Sequence, residues 1–163
     1  MRGKSLGFTL IELLVTLALV GIAASAIFPL ASIMETRAKE SELRRSLRVI
    51  RQALDSYKAA ADAGVIARST GSSGYPPNLE VLVTGVPKSA SFGMGSTPMV
   101  FLRRMPRDPF CEDKSAPAEK TWNVRTYGSR QDAFTSANSG ADVFDIASRS
   151  DKKALDGSNY SAW

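Results

Sequence analysis

Histidine is absent from this 163-residue chain, and cysteine occurs once, at position 111. The first absence removes every histidine-based metal centre, together with the imidazole base that activates many serine and cysteine nucleophiles. The second rules out an intrachain disulfide, so the fold has no covalent staple. Cys111 is left as a buried small hydrophobe or as a free thiol able to bond another chain. No acids pair at a spacing suited to acid–base work. The glycines of Gly71-Ser72-Ser73-Gly74 lack both the following lysine and the strand-to-helix setting of a phosphate loop. These absences argue against an enzyme.

Charge is missing from one stretch in particular. Between Phe8 and Met34 the only ionisable side chain is Glu12. The uncharged run from Leu13 to Met34 is longer than the apolar part of a cleaved secretory signal. A helix from Phe8 to Phe28 reaches about 31 Å, which matches a bilayer core of roughly 30 Å. The segment reads as a retained single span. Arg2 and Lys4 ahead of it keep the N-terminus cytoplasmic, and the chain beyond Met34 faces outward. An acid within such a span costs about 2.5 to 3.5 kcal/mol on insertion scales, so Glu12 calls for a function and a partner.

Gly7-Phe8-Thr9-Leu10-Ile11-Glu12-Leu13-Leu14-Val15, behind a short basic leader, resembles the signal of type IV pilins and type II secretion pseudopilins. The resemblance implies that a prepilin peptidase cuts between Gly7 and Phe8 and methylates the new amino terminus of Phe8. Residues 1–7 would be the leader, 8–34 the transmembrane and assembly helix, and 35–163 a periplasmic head. Without Arg2 and Lys4, basic residues outnumber acidic ones by only 19 to 16. The main basic cluster, Arg44, Arg45, Arg48 and Arg51, lies on a helix and reads as a solvated face; no nucleic-acid partner is expected. Gly21 and Pro29 interrupt the apolar helix, and proline removes a backbone donor and crowds the preceding turn. In the family, residues at these distances from the mature start permit the helix to melt on assembly. An ordinary tolerated membrane-helix kink is the other reading.

Beyond Pro29 the pattern turns amphipathic. Leu43, Leu47, Ile50, Leu54, Tyr57 and Ala61 form one helical stripe, and nothing breaks it before Gly64, so one helix is expected to run to about Ala63. Residues 64–80 form a loop by composition, and Asn78 is placed to cap a short helix over 78–83. Strand patterns occupy Thr121–Tyr127 and Val143–Ser148, with Phe134–Asp142 as the turn between them. The expected fold is therefore α+β and type IV pilin-like, a long N-terminal helix against a small antiparallel sheet.

Tyr75-Pro76-Pro77, Leu79 and Leu82, then Phe101-Leu102-Arg103-Arg104-Met105-Pro106-Arg107-Asp108-Pro109-Phe110, resemble the major pseudopilins of type II secretion. Phe101 and Phe110 stand where that group usually carries Tyr and Trp. The two prolines around Asp108 impose an extended turn, with the aromatics expected to anchor it on the helix. The resemblance implies a calcium loop near the C-terminus, where Asp151, Asp156 and Asn159 are the best-matched donors. Lys152 and Lys153 beside them, a shorter loop and few acids depart from the pattern, leaving as the alternative a polar loop pinned by Trp163 with no ion. The implied function is a structural subunit of a secretion pseudopilus in the inner membrane, its head in the periplasm, helping to drive folded proteins across the outer membrane. Its partners would be further copies, minor pseudopilins, the prepilin peptidase, membrane lipid, and an assembly platform with its ATPase. The alternative is a type IV pilus pilin for adhesion, motility or DNA uptake.

Overall fold

The computed structural model describes residues 7–68, 71–89, 97–130, 133–136 and 142–163, leaving out the side chains of 26–29. The chain divides into two units, Met1–Ala38 and Lys39–Trp163. Most of the leader, residues 1–6, lies outside the described residues, as do residues 90–96 of the unassigned stretch at 84–100.

Helix α1 runs Leu10–Asp62. It ends where the stripe predicted, because Gly64 adopts a left-handed φ of 71° that the helix cannot continue through. Within the first unit the large apolar side chains from Leu10 to Val20 are exposed. This part of α1 is long and apolar enough to cross a membrane. No unwinding interrupts the helix at Gly21 or Pro29.

In the second unit the predicted stripe is the buried one. Leu43, Leu47, Ile50, Leu54, Tyr57 and Ala61 form one cluster with Trp122, Val124, Val143 and Ile146. Ala53 and Ala60 widen it, since small side chains let the helix approach the layer it covers. That layer is an antiparallel sheet in the order β2-β1-β3, made of β1 (Trp122–Arg125), β2 (Thr135–Ser136) and β3 (Asp145–Ser148). Val124 lies opposite Ile146 on one side and Thr135 on the other. The architecture is α+β and type IV pilin-like.

Two details differ from expectation. The polar segment read as a turn from Phe134 to Asp142 contributes β2, a two-residue strand too short for any period-2 pattern to show. Helix α2 (Val81–Thr84) begins later than predicted. Glu80 holds the N-cap position without a side-chain hydrogen bond, while the Asn78 side chain, placed earlier, accepts the Val81 N–H at 3.1 Å.

Candidate functional site

Gly7, Phe8 and Thr9 precede the first turn of α1, and the Phe8 side chain is 81% exposed. Thr9 starts the helix. Its hydroxyl accepts the Glu12 N–H at 3.3 Å, and its carbonyl accepts the Leu13 N–H at 3.2 Å. Glu12 is the acidic residue of that first turn and is exposed. A carboxylate there complements the positive end of the helix dipole. Residues 9–12 have the Thr-x-x-Glu spacing of a capping box, a local signal that could have placed the helix start from sequence. Glu12 thus has a local reason to be tolerated at the start of the helix. A Cβ built on Gly21 would meet no atom within 4 Å. Packing within one chain therefore gives no reason for a glycine there.

The Pro-Arg-Asp-Pro segment is a structural hub. Asp108 is 3% exposed. Its Oδ2 accepts the Ser148 hydroxyl at 2.6 Å and the Arg149 N–H at 3.2 Å, and its Oδ1 accepts the Phe110 N–H at 2.8 Å. The indole of Trp122 donates to the Pro106 carbonyl at 2.9 Å. This turn is thereby stitched to β1 and to the end of β3. Phe101 packs on Tyr57 of α1 with ring centroids 5.2 Å apart, as expected. Phe110 is partly buried against the core. It stacks at 4.0 Å on Tyr160, in the segment after β3.

That segment, residues 149–163, holds the three predicted calcium donors. Asp156 Oδ1 accepts the Ser158 N–H at 2.9 Å and its hydroxyl at 2.6 Å, and Oδ2 lies 3.7 Å from the Arg44 guanidinium. These hydrogen bonds, foremost that of the Ser158 hydroxyl, hold the Asp156 carboxyl below its ordinary pKa. Asp151 and Asn159 are exposed, and the Asn159 carbonyl accepts the Ala162 N–H at 3.0 Å. Lys152 turns away to Glu112 at 2.8 Å. Among the described residues no group of three or more acidic or cysteine side chains could hold a metal ion. Among the described residues the acidic side chains by themselves do not make a calcium site.

Two arginines of the expected solvated face also have specific partners. Arg51 donates to Asp145 at 2.8 Å, to the Ile146 carbonyl at 3.0 Å and to a Trp163 backbone oxygen at 2.8 Å. Arg44 lies over the Trp163 ring at 4.1 Å. Sequence reasoning missed these roles because helical periodicity separates the polar side from the core but cannot show which polar positions a later segment will cover.

A single apolar helix with one acid in its first turn, continuing into a small α+β head, defines a type IV pilin-like class of protein. Residues 2–28 match the family model of the prokaryotic N-terminal methylation motif. Compared with curated proteins and with solved structures, the chain has no match in either.

Proposed function

We propose that this chain is a pseudopilin of the major type, a subunit that polymerises through its N-terminal helix in a type II secretion system. The observation that carries the reading is Glu12, the only ionisable side chain between Phe8 and Met34, on a stretch of α1 whose large apolar side chains from Leu10 to Val20 are exposed among the described residues. Cleavage between Gly7 and Phe8 creates an amine that is cationic near neutral pH. In a stack of subunits the amine of an incoming chain meets the Glu12 carboxylate of a neighbour. Two unit charges about 4 Å apart attract by on the order of 4 kcal/mol at an effective dielectric near 20, before desolvation, which offsets the cost of an acid in the span. Apolar contacts supply adhesion between helices, and the charge pair selects register. Gly21 and Pro29 then serve as the points where α1 loosens during assembly, which fits a glycine that no intrachain contact requires.

Glu12→Ala is expected to leave processing intact and abolish or stall filament assembly; normal filament yield would refute the charge-pair mechanism. Gly7→Val is expected to block processing, so a mature-length product from that variant would exclude the cleavage site. The secretion role is tested by deleting the gene and comparing exported with periplasmic proteins. Retention of folded, normally exported proteins supports it. Unchanged export with loss of surface filaments would favour a type IV pilus pilin.

A further inference from the structure

The loop after β3 engages many of its own carbonyls. A calcium loop turns six to eight oxygens inward. Here the carbonyls of Lys152, Ala154, Ser158, Asn159 and Tyr160 each accept a backbone N–H instead. The groups converging on one point are donors, and they converge on an anion. Glu40, on α1 and only 7% exposed, accepts the Leu155 N–H at 2.8 Å and the Tyr160 hydroxyl at 3.0 Å, both on Oε1.

We propose that this chain closes its C-terminal loop with a clasp from α1, in which the buried Glu40 carboxylate does the organising that a calcium ion does in the pseudopilins it resembles. Positions 40, 44 and 51 fall on one helical face, four and seven residues apart. Each holds a different part of the loop. Glu40 gathers Leu155 and Tyr160. Arg44 covers the Trp163 ring and faces Asp156. Arg51 holds the Trp163 backbone oxygen and ties it to Asp145 of β3. The loop completes itself through the Trp163 indole N–H, which donates to the Ser158 hydroxyl oxygen at 2.7 Å, while that hydroxyl donates to Asp156. A cation near Asp156 would have to displace both the Ser158 donors and Arg44, and Lys153 would oppose it. The clasp rests on contacts within the head and stands whether or not the chain works in secretion.

The test uses the full chain in detergent micelles, with calcium at about 1 mM, the weak end of extracellular sites, or with a chelator. The expected result is one melting midpoint in both conditions and no retained radiolabelled calcium in equilibrium dialysis. Tyr160→Phe, which removes a single hydroxyl, is expected to lower the midpoint by about 2 to 4 °C and to speed proteolysis of the segment after β3, equally with calcium and with chelator. Glu40→Ala is the severe variant; should it fail to fold, Tyr160→Phe carries the test. Stoichiometric calcium retention, a midpoint raised by calcium, or a Tyr160→Phe chain that melts and is cleaved like the parent would each overturn the clasp.

Discussion

Asp108 and Tyr160 are buried in the head, and each is held there by side-chain hydrogen bonds. Asp108→Ala removes a buried acceptor from three donors, the Ser148 hydroxyl and the N–H groups of Phe110 and Arg149. Unpaired buried donors are costly, so a loss of about 2 to 4 kcal/mol is expected in urea unfolding. Tyr160 gives the head an alkaline limit. Burial, and next the hydrogen bond to Glu40, push its pKa from 10.0 up to about 12. Between those values the folded state holds a proton that the unfolded chain has released. The contribution is therefore complete below about pH 10 and is lost as pH rises through about 12. Melting midpoints should fall across that window in the parent, and Tyr160→Phe should remove this part of the decline. The importance of Asp108 could be suspected from its place between two prolines. The Phe110 N–H is local, but the Ser148 hydroxyl and the Arg149 N–H come from 40 and 41 positions away, and only the fold brings them to it.

At the scale of elements, α1 works under two sets of rules. In its second half, Ile50 is fully buried against the sheet, and Ile50→Ala is expected to cost about 2 to 5 kcal/mol in urea or thermal unfolding of the head. In its first half, Leu17 is exposed, and Leu17→Ala should leave that unfolding unchanged. The stripe that distinguishes these halves was readable because a 3.6-residue period survives in sequence. α2 is limited by Gly85, whose φ of 81° is left-handed and whose added Cβ would lie 2.9 Å from the Met99 carbonyl oxygen. Gly85→Ala is therefore expected to destabilise the head by more than about 1 kcal/mol, measured by the same unfolding. That close approach depends on the pairing of Val86 with Met99. No local pattern announces a single bridge between segments that far apart.

For the molecule as a whole, the first unit exposes large apolar side chains from Leu10 to Val20, which fits a membrane anchor, and the second closes a core of its own. Val20→Arg places a second charge near the middle of the span and costs about 2.5 to 3.5 kcal/mol on insertion scales. The variant is expected to shift from the membrane fraction to the soluble or degraded fraction on cell fractionation, while the parent stays with the membrane.

The sequence by itself determined whatever depends on neighbours in the chain. That covers the apolar run with Glu12 near its start, the stripe from Leu43 to Ala61, the ends of the long helix and the two principal strands. Each is a short-range pattern fixed by helical or pleated geometry. Tertiary structure alone decided β2, the hub at Asp108, the partners of Arg44 and Arg51, and the closure of the loop on Glu40. Those contacts join residues as much as 120 positions apart. The charge on a side chain says that a buried group needs a partner, but not which distant segment the fold will deliver to it.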